Sequence, residues 1–252
     1  MKRLIIMYVM LLWPINMSGQ EINLISVYGN ATNFMDLVIC VMKKNDKEKI
    51  DSFTYSATHV VKRVDDYGRV LKDGKGNLDE TIEIIAISGN NGKLEKKVIS
   101  RNGKKTEDSR PSGFPAEASQ IFAARYNYSF AYNYPLQIGS GKYIVLNFKP
   151  KNGLIIASQE DEVLNRSEGK IFVNSENFLV WKIEARLPDE FTVYSWFKVF
   201  SANLIFEQQE IDGIAVEKVI TVAARYRNGW GIFANPKNLD EVYTFHDYIR
   251  IK

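Results

Sequence analysis

Two hydrophobic periods divide the chain. Residues 33 to 47 place Phe34, Leu37, Val38, Val41 and Met42 at helical spacing, so that they share one face of a 3.6-residue turn. Asn33 stands where a cap belongs, and Lys43, Lys44 and Lys47 fall in the final turn, where cations complement the helix dipole. The β-branched run around Cys40 also leaves a strand open for this segment. From residue 52 the period drops to two. In FTYSATHVVKRV, the residues Phe53, Tyr55, Ala57, His59 and Val61 alternate with Thr54, Ser56, Thr58 and Lys62, as side chains do across a strand. DDYGRVLKDGKGN, GNNGK and RNGK then separate strand-length runs, with Gly and Asn supplying residues that tolerate positive φ. In FPAEASQIFAAR, Pro115 and the alanines that follow predict a second, short helix. The remaining runs read as strands, about ten in all. The fold class is mainly β: a curved antiparallel sheet, a half-barrel that does not close, wrapped around an N-terminal helix and a second short helix.

One run stands apart. Tyr126, Tyr128, Phe130, Tyr132 and Tyr134 put a ring at every second position, against Asn127, Ser129, Ala131 and Asn133 on the other parity. Burying five rings at about 150–250 Å² each and about 25 cal/mol per Å² gives a gross upper bound of about 20–30 kcal/mol, which places them inward. Other strands offer apolar faces to the same interior: Leu179, Trp181, Ile183 and Ala185; Phe191, Val193, Phe197 and Val199; Ile220, Val222, Ala224 and Tyr226; Tyr243, Phe245, Ile249 and Ile251. Two readings follow. Either the rings fill an ordinary core, or the concave side is partly open and they line a groove for an acyl chain or another apolar ligand. In the second reading Tyr55, Tyr126, Tyr128, Phe130, Tyr132 and Trp181 are the ligand-binding residues. Phenolic oxygens at four of the five stripe positions favour it, since a dry core must satisfy each one.

Charge and composition narrow the field. Lys and Arg number 33 against 30 Asp and Glu, so no large single-sign field points to nucleic acid. The short runs Lys96-Lys97 and Lys104-Lys105 read as solvated loops or strand edges. Lys2-Arg3, the apolar stretch Leu4 to Ile15, and small Ser18-Gly19 before Gln20-Glu21 have the layout of a signal peptide. The stretch falls short of the ~20 apolar residues of a membrane span. We therefore expect residues 1–19 to be removed on export and residues 20–252 to form one periplasmic β domain. A single cysteine, Cys40, excludes an internal disulfide and reads as a small buried hydrophobe.

Searches for chemistry yield little. Two histidines, His59 and His246, lie far apart in sequence and no cysteine pair exists, so no zinc-ligand spacing is present. IGSGKY at 138 to 143 lacks the spacer of a phosphate loop and reads as a hairpin turn. In DGKGNLDE, Lys75 and Leu78 occupy places that a calcium loop reserves for a ligand and a glycine. His59 shares parity with Tyr55 and reads as a satisfied strand-face residue. No catalytic residue, metal or cofactor is expected. A hydrolase with an unseen carboxylate pair is the alternative that survives, beside an envelope scaffold module acting through its loops at 65–80 and 101–115.

The order of parts adds one inference. A leader, one N-terminal helix, YSATHVVKRVDDYGRV with long meander strands, then GKIFVNSENFLVWKIEARLP and the terminal YTFHDYIRIK resemble, over residues 30 to 252, the periplasmic lipoprotein-carrier superfamily of outer-membrane lipoprotein-sorting proteins. The resemblance implies an unclosed half-barrel around helices, with a hydrophobic cavity that accepts lipid and no enzymatic activity. It implies a lipid or lipoprotein acyl chain as ligand and an envelope protein as a further partner. In the carriers an arginine in the cavity and movable helical lids control access. No arginine of this sequence is assigned that role, and the polar region from 62 to 110 departs from a minimal carrier.

Overall fold

The computed structural model describes residues 24–90, 93–106, 128–133, 135–151, 166–194, 197–228 and 235–251. The leader, the helix expected at 115–125, and Tyr126 and Tyr134 lie outside these residues. Helix α1 (Leu24–Tyr28) leads into α2 (Ala31–Ser52). Asn30 caps α2: its backbone is extended, and its side-chain oxygen accepts the Asn33 N–H at 2.9 Å, satisfying one of the orphan donors of the first turn. The cap thus sits three residues before the position expected from periodicity, and the helix runs on past Lys47. Its inward face carries Phe34, Met35, Val38, Ile39, Met42 and Ile50, together with polar Asn45, Asp46 and Lys49. Cys40 is exposed, correcting its reading as a buried residue. At 100° per residue it falls opposite the stripe set by Phe34, Val38 and Met42.

Thirteen strands follow: β1 (Phe53–Arg63), β2 (Glu80–Asn90), β3 (Lys93–Arg101), β4 (Lys104–Lys105), β5 (Tyr128–Tyr132), β6 (Leu136–Ile138), β7 (Gly141–Pro150), β8 (Glu168–Asn174), β9 (Val180–Arg186), β10 (Phe191–Tyr194), β11 (Phe197–Ile211), β12 (Ile214–Asn228) and β13 (Asn235–Arg250). They form one sheet in the order β4-β3-β2-β1-β13-β12-β11-β9-β8-β7-β5, with β10 on β11 and β6 on β7. The end strands β4 and β5 do not pair with each other. The sheet is an unclosed antiparallel half-barrel around α2, as the alternating pattern predicts. Its first and last long strands, β1 and β13, lie side by side from Phe53↔Arg250 to Arg63↔Leu239.

The register builds the interior in rows. Tyr132, Leu146, Ile171, Ile183, Phe206, Ile220, Tyr243, His59 and Glu83 stand opposite one another across nine strands. The apolar members of this row, with Ala57, Phe245, Ile85 and Val98 beside it, pack on the inward face of α2 in one cluster. Each fully buried large side chain contributes about 1.5–3 kcal/mol. One glycine makes the helix seat possible. A Cβ at Gly89 would lie 2.0 Å from the Ile50 carbonyl oxygen, so only glycine lets the last turn of α2 rest on β2.

Phe191, Phe197, Val199 and Tyr226 pack with Leu187 in a separate small cluster rather than in the main interior, and two parity expectations fail at bulges. In β13 the register slips opposite Thr54/Ser56, with Asp247 in the left-handed region at φ 55°. An extra residue there inverts the faces beyond it, so Tyr248 turns inward and Ile249 is 65% exposed. A slip between Phe172 and Val173 acts likewise on β9: Val180 takes the inward place, and Trp181 packs against Tyr143 and Phe172 instead. Among the described residues no helix is long and apolar enough to cross a membrane.

Candidate functional site

The aromatic stripe ends at a cluster of four rings. Phe34, on the first turn of α2, lies 5.0 Å from Tyr28, 5.9 Å from Tyr132 and 5.9 Å from Phe178, and Tyr28 meets Phe178 at 5.9 Å. Three elements bring them together: the α1–α2 junction, the edge strand β5 and the β8–β9 hairpin. The Tyr132 hydroxyl donates to the Gly29 carbonyl at 3.1 Å and ties β5 to that junction. Phe34 is buried, whereas Tyr28, Tyr132 and Phe178 are only half-buried. Burial followed by the neighbouring Tyr28 pushes the Tyr132 phenol up to about 12, and burial raises the Tyr28 phenol in the same direction.

Phe178 holds a left-handed backbone at φ 59°, a conformation that costs a bulky residue on the order of 1–2 kcal/mol. It is held there by the hairpin bond from the Phe178 N–H to the Asn174 carbonyl at 2.9 Å and by the ring contacts. Strain kept at an exposed aromatic rim is a pointer to a functional surface.

Behind this rim the interior is polar in two places. Lys49, fully buried, pairs with Glu217 on β12 and lies 3.6 Å from Asp46 one turn earlier. The Asn45 side chain donates to the Ala215 carbonyl at 2.7 Å and accepts its N–H at 2.8 Å, and the Tyr248 hydroxyl donates to the Glu217 carbonyl at 2.7 Å. These bonds fix the turn and depth of α2 against β12. His59 is buried between Glu83, at 3.3 Å from Nδ1, and Glu241, at 3.4 Å from Nε2, with its ring stacked 3.9 Å over Tyr243. Arg101 donates to Glu83 at 2.8 Å. Burial, then Glu241 and Glu83, raise the Tyr243 phenol well above its ordinary value. His59 and Glu83 are buried, as the strand-face reading of His59 expects, while Glu241 is 24% and Arg101 39% exposed; together they join β3, β2, β1 and β13.

The residues named from sequence separate into three places. Tyr128, Phe130 and Tyr132 share one side of β5: Tyr128 is in the core, and the other two are partly buried against it. Tyr55 lies deep, stacked on Tyr248 at 4.7 Å. Trp181 faces away from them because of the β9 slip, and Tyr126 is outside the described residues. Helical spacing puts Phe34 on the inward face of α2 without joining it to the stripe, and Tyr28 and Phe178 were missed, because no local period marks a ring at a helix junction or in a hairpin turn. A groove of 960 Å³ crosses strands β5, β7, β8, β9 and β11 over the row Phe130, Phe148, Gly169, Ala185 and Leu204. Lys149, Glu168 and Arg186 also line it.

Comparison with solved structures gives similarities of fold. The chain is similar to a LolA superfamily protein from Nitrosomonas europaea (12% identity, 84% of this chain and 92% of that one, TM-score 0.37). It is also similar to an outer membrane lipoprotein-sorting protein domain from Vibrio parahaemolyticus (9%, 85% and 91%, 0.34) and to the Pseudomonas aeruginosa MucA/MucB complex (8%, 83% and 94%, 0.25). No protein-family model matches the chain, and no curated protein matches its sequence. With TM-scores below 0.5, the half-barrel rests on its own strand order.

Proposed function

We propose that the protein is an exported, non-enzymatic binding protein that takes an apolar chain, such as a lipid or lipoprotein acyl group, at the aromatic rim of its half-barrel. The observation that carries this reading is the half-buried cluster of Tyr28, Tyr132 and Phe178 around Phe34, with Phe178 held in a strained backbone at its outer edge. Aromatic side chains offer large apolar area at low entropic cost, and their phenols keep a wet end for a polar head. Phe130 and Tyr132 continue the lining along β5, and Tyr128 is its floor; Tyr55 stays apart, against Tyr248. The described interior under α2 is packed, so the ligand enters at the rim rather than through the centre of the sheet.

Native mass spectrometry with lipid extraction, on protein purified from its exporting compartment, tests this reading. We expect a stoichiometric acyl species, lost in Phe130→Asp and Phe178→Asp variants whose circular dichroism matches the parent. A clean unliganded mass, together with no uptake of a fluorescent fatty acid, refutes it. A second reading is favoured by the groove of 960 Å³: an envelope protein docks there and no small ligand is held. Arg186→Glu, which reverses a groove-lining charge paired with Glu168 at 2.6 Å, then abolishes partner capture, while neither parent nor variant takes up fatty acid.

A further inference from the structure

The chain is close to electroneutral, yet its charge is unevenly placed. Residues 93–106 hold six cations, Lys93, Lys96, Lys97, Arg101, Lys104 and Lys105, against the single carboxylate of Glu95, and outside this segment acids outnumber bases. The fold concentrates them further. β3 and β4 form one end of the sheet, and the pairs Ser100↔Lys105 and Arg101↔Lys104 fold the second lysine pair back along the first strand. Lys93, Lys97, Lys104 and Lys105 are exposed. Next to them Ile99 is 42% and Ile82 36% exposed. The neighbouring strand β2 carries one acid within residues 81–90, Glu83, which is buried and held by Arg101 and His59.

We propose that this edge docks on an anionic phospholipid membrane. Protection of an edge strand against pairing accounts for a lysine or two. It does not account for exposed isoleucines on the same edge, which work against it. With Arg101 engaged by Glu83, the exposed cations are all lysines. Lysine is a compact, hydrated point charge on a flexible stem, suited to a diffuse anionic surface; directional carboxylate recognition uses the arginine fork. Clustered lysines beside small apolar side chains match the headgroup layer of an anionic leaflet, where the charges are drawn to the surface and the isoleucines reach the acyl boundary. The site is distinct from the aromatic rim, and its occupancy does not depend on an acyl ligand.

Co-sedimentation of the exported chain with phosphatidylcholine vesicles, with and without about one-third phosphatidylglycerol, tests the proposal. We expect at least about tenfold stronger binding to the anionic vesicles, weakening as salt shortens the screening length. Replacing Lys93, Lys97, Lys104 and Lys105 together with Gln abolishes that preference while fatty-acid uptake and the melting temperature stay at the parent's values. Should that variant fold poorly, the exposed pair Lys104→Glu and Lys105→Glu carries the same test. Equal binding to both vesicle types, or unchanged binding after the lysine substitutions, overturns the proposal. So does binding to poly-glutamate without binding to anionic vesicles, which assigns the edge to an acidic protein.

Discussion

Lys49 is the most informative single position in the interior. Its ammonium is wholly removed from water, and its partners Glu217 and Asp46 are each 4% exposed. Replacing it with methionine keeps most of the stem volume, so packing changes little and the effect is electrostatic. Glu217 and Asp46 then lose the ammonium they share. Removing one partner of a buried pair costs about 3–5 kcal/mol; at an m-value near 3 kcal/mol/M, that is a urea midpoint lower by about 1–2 M. The matched variant Lys49→Met/Glu217→Leu removes the stranded Glu217 charge and recovers at least about half of the loss, because well-packed apolar pairs substitute for buried ion pairs at little cost. As a reference, Lys62→Met breaks a pair with Glu80 at 3.3 Å whose lysine is 42% exposed, and costs less than about 1 kcal/mol. The assay is equilibrium urea unfolding of all three variants, followed by tryptophan fluorescence and circular dichroism. A Lys49→Met variant within about 1 kcal/mol of the parent refutes the reasoning, since a buried carboxylate without a cation costs far more than that.

Three further outcomes follow from particular contacts. Phe178→Ala costs about 2–4 kcal/mol of ring packing, whereas Phe178→Gly costs about 1 kcal/mol less, because glycine accepts φ 59° without strain; thermal melts that rank Gly below Ala contradict the strained turn. Gly169→Ala would place its methyl 1.8 Å from the Glu184 carbonyl oxygen, a backbone atom, so β8 and β9 must separate. A melting temperature within experimental error of the parent contradicts that close approach, for which we expect a loss of at least about 1–3 kcal/mol. Tyr132, raised from 10.0 to about 12, favours its neutral phenol in the folded state. The stability it contributes is full below the ordinary tyrosine value and disappears as pH rises through about 12. Its titration, isolated as the difference in tyrosinate absorbance between parent and Tyr132→Phe, has its midpoint near the raised value; a midpoint at 10.0 would show the phenol to be fully solvated.

Much of the architecture can be read from local periodicity. Alternation at Phe53, Tyr55, Ala57 and His59, and again at Tyr128, Phe130 and Tyr132, determines by itself that these segments are strands with one buried face, because a one-residue shift would turn every ring to water. Helical spacing from Phe34 to Met42 likewise determines α2, but the inward stripe is turned toward Met35 and Ile39, leaving Leu37 37% exposed. What periodicity leaves open is where a strand breaks step. The slips opposite Tyr248 and beside Trp181 each add one residue and exchange the faces beyond them, and they are set by pairing with strands distant in sequence.

The candidate rim shows the same division. The stripe on β5 is written in alternate residues and Phe34 opens the helical period of α2, but Tyr28 and Phe178 come from a helix junction and a hairpin, where no period marks them. Lys49 and Glu217 are 168 positions apart, and neither looks buried in its own stretch of sequence. Local pattern decides conformation and facing through sterics and water, residue by residue. Partnership between distant residues is decided only when the sheet closes around α2, because low-dielectric burial exists only once that enclosure has formed.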